Sequence, residues 1–136
     1  MTVQLELVEV PDLTETDLRW LIKGCQGSYD NNDPMLQVEA AKVGEAGIHR
    51  ITGDAEGIVV LNHGPNFYRD HTLTITALAG KNMLCNFDAV HKAILATAAA
   101  AGATRVSGYV TRAGLAALYQ RRTKAKLVQM FVEDVL

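Results

Sequence analysis

The sequence predicts one domain of the α/β (α+β) class, with elements in the order β-α-α-β-β-β-α-β-α-β. Three observations support this prediction. The chain has 136 residues, which suits one domain and is too short for two full ones. Its composition, 49% hydrophobic and 21% charged, is that of an ordinary globular protein. Apolar residues recur with a period of two in some stretches and at helical spacing in others, with no internal repeat.

Six strands are predicted where apolar residues alternate with polar ones or form a short apolar run. The first begins at Val3 and ends at Pro11, and the last is Lys126–Leu136. The other four are Ile48–Gly53, Gly57–His63, Thr72–Ala79 and Arg105–Val110. The unbroken apolar run Ile58–Leu61 indicates that its strand is buried on both faces. Threonines at every second position from Thr72 indicate a strand with one polar face.

Four helices are predicted from their start signals and apolar spacing. Thr14 and Asp17 have the spacing of a capping pair. The apolar residues of the helix that follows are Leu18, Leu21, Ile22 and Cys25. Asp33-Pro34 has the composition of a cap followed by the first helical residue, where proline loses no hydrogen bond. Asn86 can cap a third helix with an alanine-rich end, and Leu115–Tyr119 predicts a short fourth one.

Composition and charge exclude several classes of function. The formal charge is −2, from 13 Lys+Arg and 15 Asp+Glu, which gives no reason to expect nucleic-acid or membrane binding. No apolar run approaches the roughly 18 to 20 residues that cross a bilayer, and the start of the chain does not resemble a signal peptide. Cys25 and Cys85 lie far apart, which fits buried thiols in a reducing compartment. We therefore expect a soluble, cytoplasmic protein.

Two further features of the sequence bear on binding sites: its four histidines and the connection 63–71. The four histidines have neither the i, i+4 helical spacing nor the cysteine partners of zinc sites, so no metal site is predicted. The connection 63–71 contains Phe67 and Tyr68. These aromatics either form a contact arm for another protein, since binding residues concentrate on loops, or cover the edge of the core.

The order of elements, together with Ala116-Ala117-Leu118-Tyr119 followed by basic residues and a last strand, resembles the GNAT acyltransferases. The resemblance covers nearly the whole chain. It implies a central mixed, mostly antiparallel sheet with splayed strands, flanked by about four helices. In this fold the strand Thr72–Ala79 parts from Arg105–Val110, and the pantetheine arm of acyl-CoA enters the gap between them.

The resemblance also implies where acyl-CoA, either acetyl-CoA or another thioester, would bind. The family's phosphate loop reads Gln or Arg, then x-x-Gly-x-Gly/Ala, whereas this chain reads Leu78-Ala79-Gly80-Lys81-Asn82-Met83-Leu84. Glycines let a backbone approach phosphates, and the N-terminus of the following helix favours negative charge. The cofactor-binding residues implied are Ala77, Leu78, Gly80, Lys81 and Asn82. Here the loop retains one glycine and one lysine, with bulky side chains at the next positions.

Catalysis would need an acid and a base. Tyr119 stands where many family members carry the tyrosine that protonates the departing CoA thiolate, and it equally fits a residue that packs its helix onto the sheet. Neither central strand contains Asp or Glu, which leaves residues at strand ends, Asp70, His71, Glu56 and His63, as substitutes or as solvated loop residues. Of these, Asp70 and His71 are the candidate bases. The basic residues Arg121, Arg122, Lys124 and Lys126 fit either the end of a helix or a contact with the CoA 3′-phosphate or an acidic partner.

Two functions follow from the resemblance. In the first, the acyl-CoA site is degenerate and the chain is a non-catalytic, virion-associated or accessory structural protein of a tailed bacteriophage. Its partners would then be phage structural proteins or a second copy of itself, in the bacterial cytoplasm or in the particle, and it would need no cofactor. In the alternative, the chain is an active acyl-CoA-dependent N-acyltransferase. The short length, the weak phosphate loop and the missing base favour the first.

Overall fold

The computed structural model describes residues 2–26, 33–63, 71–108 and 113–125 of the chain. The strands in these residues are β1 (Val3–Leu7), β2 (Ala46–Gly53), β3 (Glu56–Asn62), β4 (Thr72–Lys81) and β5 (Arg105–Gly108). The helices are α1 (Glu15–Gln26), α2 (Pro34–Lys42), α3 (Phe87–Ala100) and α4 (Ala113–Arg122). The predicted order of strands and α-helices is confirmed as far as α4. The first strand ends at Leu7 and not at Pro11, because Pro11 belongs to a 3₁₀ helix, Val10–Asp12. The strand predicted at Lys126–Leu136 and most of the connection 63–71 lie outside the described residues.

The strands form one sheet in the order β1-β2-β3-β4-β5. Neighbours among β1 to β4 are antiparallel, whereas β5 is parallel to β4. A parallel pair requires a crossover connection, and α3 provides it here. The sheet is therefore mixed and mostly antiparallel, as the resemblance implies.

The centre of the sheet is buried on both faces. All four residues of the run Ile58–Leu61 are at most 1% exposed, which confirms the prediction made from that run. Ile58 and Val60 belong to a core cluster with residues of α1 and α2. Val59 and Leu61 belong to a second cluster with residues of α3. The sheet is thus the middle layer of three, with α1 and α2 on one face and α3 on the other.

The predicted starts of the first two helices are confirmed. The Thr14 N–H donates to Asp17 Oδ2 at 2.9 Å, and the Asp17 N–H donates to Thr14 Oγ1 at 3.1 Å. This is the reciprocal arrangement of a capping box. At α2, the Met35 N–H donates to Asp33 Oδ1 at 2.9 Å, and Pro34 is the first helical residue. Both starts depend on contacts within a few residues, which explains why the sequence predicts them.

The face that α1 buries differs from the predicted one. Leu21 and Cys25 are buried as expected, but Leu18 is 40% exposed and Ile22 is 45% exposed. The reason lies at Gly24, where a Cβ would come within 3.0 Å of the backbone nitrogen of Leu78 on β4. Because Gly24 has no side chain, α1 can contact the sheet closely along the side that contains Gly24. Leu18 and Ile22 therefore face away from the core.

An ion pair joins α1 to the sheet. Arg50 of β2 donates to both carboxylate oxygens of Asp17, from Nε at 2.9 Å and from Nη2 at 2.5 Å. The Asp17 side chain is 4% exposed and the Arg50 side chain 27%. These hydrogen bonds hold the pKa of the Asp17 carboxyl below its ordinary value, against the opposing effect of burial. One carboxylate thus caps α1 and anchors it to β2.

We expect Arg50→Gln to lower the free energy of unfolding at pH 7 by about 3 kcal/mol, because it leaves a buried carboxylate without its cation. Urea denaturation followed by circular dichroism measures the change. Arg19→Gln is the matched control, since it breaks an exposed pair with Glu15 in the same helix. It should cost less than about 0.5 kcal/mol.

The same pair of variants gives a test in pH. Since the pKa of Asp17 is lowered in the folded chain, its contribution is present above the unfolded value, about 3.9, and is lost as the pH falls through the folded value. The stability difference between wild type and Arg50→Gln should therefore shrink below about pH 4. A difference that stays constant from pH 7 to pH 3 would contradict this account of the pair.

Candidate functional site

The middle of β4 is irregular. Its pairing with β3 places Ala77 opposite Val60 but Ile75 opposite Leu61, so Thr76 is an extra residue on β4. Such a β-bulge bends its strand and locally interrupts the ladder of hydrogen bonds. Thr76 bonds to α2, and Ala77 packs in the α1 and α2 cluster, so both side chains face the same side of the sheet.

The pairing of β4 with β5 is described as far as the same place, because residues 109–112, which follow Gly108, lie outside the described residues. Within the described residues it runs from Thr72 opposite Arg105 to Ile75 opposite Gly108. Residues 77–81 of β4 continue to pair with β3, but no described residue pairs with them on the β5 side. The GNAT resemblance implies a gap on this side of residues 77–81, and we call this region the β4–β5 gap. Peptide groups at an unpaired edge are available to an added strand or to a ligand with amide groups.

Gly80 is explained by packing within the sheet. It lies opposite Gly57 of β3. A Cβ on Gly80 would overlap the carbonyl oxygen of Glu56, and a Cβ on Gly57 would overlap the carbonyl oxygen of Ala79. The two glycines therefore permit the close approach of β3 and β4 at the rim of the gap. This requirement on Gly80 exists whether or not a phosphate binds there.

The turn after β4 is held by a buried asparagine. Asn86 is the N-cap residue of α3, but its side chain makes no capping hydrogen bond, so that part of the prediction is wrong. Its Nδ2 instead donates to the carbonyl oxygens of Asn82 at 2.8 Å and Asp54 at 3.1 Å. The amide thus ties this turn to the turn between β2 and β3. Asn82 has φ +62°, a left-handed conformation that asparagine tolerates better than most residues.

Charged groups lie on both sides of this turn. Lys81 Nζ is 4.0 Å from Glu56 Oε2, and both side chains are mostly exposed, so this pair contributes little. Asp88 in the first turn of α3 pairs with Arg122 of α4 at 2.9 Å. The N-terminus of α3 favours an anion, and the Asp88 carboxylate opposes this effect. Arg122 offsets the charge of that carboxylate. Of the other predicted basic residues, Arg121 and Lys124 are exposed, and Lys126 lies outside the described residues.

Tyr119 packs against the start of α3. Its ring lies edge-on to Phe87, with ring centres 4.9 Å apart, and edge-on to His91 at 5.6 Å. Burial raises the pKa of the Tyr119 hydroxyl and lowers the pKa of the His91 imidazole. The structure therefore brings Tyr119 to the same helix end that follows Gly80, Lys81 and Asn82.

The candidate bases are placed differently. Asp70 lies outside the described residues. His71 precedes β4, has φ +55°, and its carbonyl oxygen accepts from the Thr104 N–H at 2.9 Å. It is four residues, or roughly 13 Å of extended chain, from Ile75, where the gap begins. Since His71 and Tyr119 lie toward opposite ends of β4, the described residues do not bring a catalytic acid and base together.

Sequence reasoning missed a polar contact at the bulge. Gln37 of α2 is 5% exposed, and its Oε1 accepts from Thr76 Oγ1 at 2.8 Å. The sequence shows only a glutamine beside the core residue Val38 in a short helix. This pattern does not identify the hydrogen-bond partner of the glutamine. The partner is 39 residues away, so only the fold reveals the pair.

Other predictions about sites have mixed outcomes. Cys25 is buried as expected, but Cys85 is exposed, because it lies in the turn before α3 and not in a core element. Among the described residues, no three His, Cys, Asp or Glu side chains are close enough to hold a metal ion. No helix in that part of the chain is long and apolar enough to cross a membrane.

A separate cavity of about 460 Å³ opens on the α1 side of the sheet, where β2 turns into β3. Its lining includes Trp20, Arg50 and Glu56. Two nitrogens of Arg50 already bond to Asp17, so this guanidinium is committed to the fold. The cavity lies on the face opposite α3, away from the ring of Tyr119.

Comparison with known proteins supports the architecture. The sequence matches no family model, and no curated protein matches it. Among solved structures, the crystal structure of an acetyltransferase from Trypanosoma brucei matches with a TM-score of 0.57. The two sequences are 11% identical, and the match covers 97% of this chain and 99% of that one. At this identity the likeness concerns the fold alone, and the chain has a GNAT-like acetyltransferase fold.

The half-buried Tyr119 gives a prediction at alkaline pH. Because burial raises the pKa of Tyr119, its contribution to stability is present below the unfolded value of about 10 and is lost as the pH rises through the folded value. The free energy of unfolding should therefore fall more steeply above about pH 10 in wild type than in Tyr119→Phe. Urea denaturation at a series of pH values measures both slopes, and equal slopes would show that folding does not raise the pKa of Tyr119.

Proposed function

We propose that this chain binds an acyl-CoA thioester in the β4–β5 gap and transfers its acyl group to an amine. The observation that carries the proposal is the β-bulge at Thr76 in a mixed sheet whose fold is like that of an acetyltransferase. The pantetheine arm of CoA contains two amides, which can bond to the β5-facing peptide groups of residues 77–81 as an added strand would. The fold likeness to an acetyltransferase supports the same function.

The end of the gap suits a pyrophosphate in two respects. The N-terminus of α3 lies just beyond the turn after β4, and its unpaired N–H groups favour negative charge. Lys81 is exposed and only weakly paired, so its ammonium can meet a phosphate. Arg122 compensates the charge of Asp88 in the first turn of α3. These residues would hold the charged part of CoA while the acyl group reaches the bulge.

Tyr119 would act as the general acid. The amine nitrogen attacks the thioester carbonyl carbon, the C–N bond forms, and the C–S bond breaks. The CoA sulfur takes the proton of the Tyr119 hydroxyl and leaves as a thiol, while the amine proton passes to water, which returns a proton to the tyrosine. The raised pKa of Tyr119 keeps its hydroxyl protonated, and therefore able to donate, at neutral pH.

Acetyl-CoA at millimolar concentration should raise the melting temperature of the chain, because a ligand that binds the folded state stabilises it by mass action. ATP at the same concentration is the control for non-specific phosphate binding. Isothermal titration calorimetry provides an independent measure. No shift and no heat with acetyl-CoA would exclude the proposed function.

Tyr119→Phe separates binding from chemistry. We expect acetyl-CoA to bind the variant as it binds wild type, while the rate of thiol release with an amine falls by about 100-fold, as for loss of a general acid. The rate is measured by reaction of the released CoA thiol with a disulfide reagent. An unchanged rate would remove the assigned role from Tyr119 and leave the binding site in place.

A second candidate function is a non-catalytic accessory protein of a phage particle that acts through protein contacts. Asp88 favours it, since a carboxylate in the first turn of α3 competes for the place of a phosphate. The absence of Asp and Glu from β4 and from the described residues of β5 also favours it. Co-purification with assembled particles, together with no response to acetyl-CoA, would support this function. A monomer that acetylates amines would exclude it.

A further inference from the structure

A cavity of about 460 Å³ on the α1 side of the sheet has no part in the proposed acyl-CoA function. It lies between the start of α1 and the hairpin of β2 and β3, and its lining residues fall in the segments 14–20 and 50–57. Both segments are described throughout. Pockets for small molecules commonly measure about 300 to 1,000 Å³, so this one has room for such a ligand.

Trp20 lines the cavity from α1. It follows Asp17 by three residues, so its side chain lies on the same side of the helix as the carboxylate that bonds to Arg50. Its Nε1 is buried with no hydrogen-bond partner among the described residues. Aromatic rings attract cations, and Lys23 Nζ already lies 5.5 Å from the centre of this ring. Lys23 is not among the lining residues, so this contact does not fill the cavity.

Three other lining residues offer hydrogen-bond acceptors: Glu56, Thr52 and Thr16. Thr52 alternates with Arg50 along β2, so both side chains lie on the α1 side of the sheet. Each threonine hydroxyl oxygen has two lone pairs that can accept a hydrogen bond. The Glu56 side chain is more than half exposed, and its Oε2 is 4.0 Å from Lys81 Nζ, beyond hydrogen-bond distance. A ligand with several N–H groups can therefore bond to these residues.

Negative charge exceeds positive charge in the lining of this cavity. The lining contains two carboxylates, Asp17 and Glu56, and one cation, Arg50. Two nitrogens of Arg50 bond to Asp17, and its Nη1 is 3.6 Å from Glu6 Oε2. Asp17, through its hydrogen bonds, and then Glu6 and Asp12, through their charges, raise the pKa of this guanidinium against the opposing effect of burial. Arg50 is thus already compensated, and the charge of Glu56 is left to attract a cation.

We propose that this cavity binds a small guanidinium compound, which stacks on Trp20 and bonds to Glu56. A guanidinium is planar, so it can lie on the face of an indole, and its paired N–H groups match the two oxygens of a carboxylate. Its remaining N–H groups can donate to the hydroxyls of Thr16 and Thr52. An ammonium is a compact point charge without a flat face, so it fits these groups less well. The site lies on the face opposite α3 and does not depend on the proposed acyl-CoA function.

Fluorescence of Trp20 gives a direct readout, since the chain has one tryptophan. The probe is butylguanidinium chloride, and its control is butylurea, which has nearly the same shape without the charge. Each is titrated into the full chain at neutral pH and constant ionic strength. Butylguanidinium should change the fluorescence along a saturable curve with a Kd of roughly 1 to 10 mM, and butylurea should bind at least about ten-fold more weakly. Equal binding of the two compounds, or no saturable change with butylguanidinium, would overturn the proposal.

Two carboxylate variants test the assigned contact. Glu56→Gln should weaken butylguanidinium binding about five-fold, because it removes the charge that pairs with the ligand. Glu45→Gln is the matched control, since it removes an exposed carboxylate at the opposite end of β2, and it should leave Kd unchanged. Both side chains are exposed, so both variants should fold, which thermal melting checks. Equal effects of the two substitutions would show that the probe responds only to net charge, against the proposal.

Residue-resolved amide shifts in NMR spectra locate the bound probe independently of Trp20. Butylguanidinium should shift amides in the segments 14–20 and 50–57 and leave those of α3 unchanged. Saturable shifts confined to another part of the chain would contradict the assignment. The peptide Gly-Gly-Arg-Gly-Gly distinguishes a small molecule from the arginine of a protein partner. If the peptide binds at least about ten-fold more tightly than butylguanidinium, the occupant is a protein side chain and the proposal of a small molecule is wrong.

Discussion

The arrangement of this protein depends on which strands pair with the two edges of β4. One edge pairs with β3 along nearly the whole strand, and the other pairs with β5 from Thr72 to Ile75, where the description of β5 stops at Gly108. The extra residue Thr76 lies at the transition. A β-bulge bends its strand and interrupts the ladder of hydrogen bonds at that point. The proposed acyl-CoA site lies beside this bend, in the β4–β5 gap.

Residues that resemble functional ones also have structural roles here. Gly80 permits the approach of β3, Asn86 ties two turns together, and Tyr119 packs α4 onto α3. Arg122 secures the same two helices through Asp88. These structural roles are enough to explain the residue types at these positions, so the residue types alone do not show a function. This is expected when one scaffold serves many functions. Binding of acyl-CoA, and not residue type, is therefore what would distinguish a binding site from a packing arrangement here.

Predictions from the sequence succeed where the physics is local. The capping pair at Thr14 and the buried run Ile58–Leu61 depend on neighbours a few residues apart, and both are confirmed. The rotation of α1 was mispredicted, because it follows from contact between Gly24 and a strand more than 50 residues away. The bond between Gln37 and Thr76 was missed for the same reason. Long-range partners of single polar or small residues leave no periodic signal in a sequence.

The central claim is that acyl-CoA adds to the β5-facing edge of β4. Amide hydrogen exchange, resolved by residue, measures this directly, with the amides of β1 as an internal control. In the free chain the β5-facing amides among residues 77–81 should exchange quickly, and acetyl-CoA should slow them while those of β1 are unchanged. Binding of acetyl-CoA that leaves these amides unaffected, or that protects a different part of the sheet, would contradict the account.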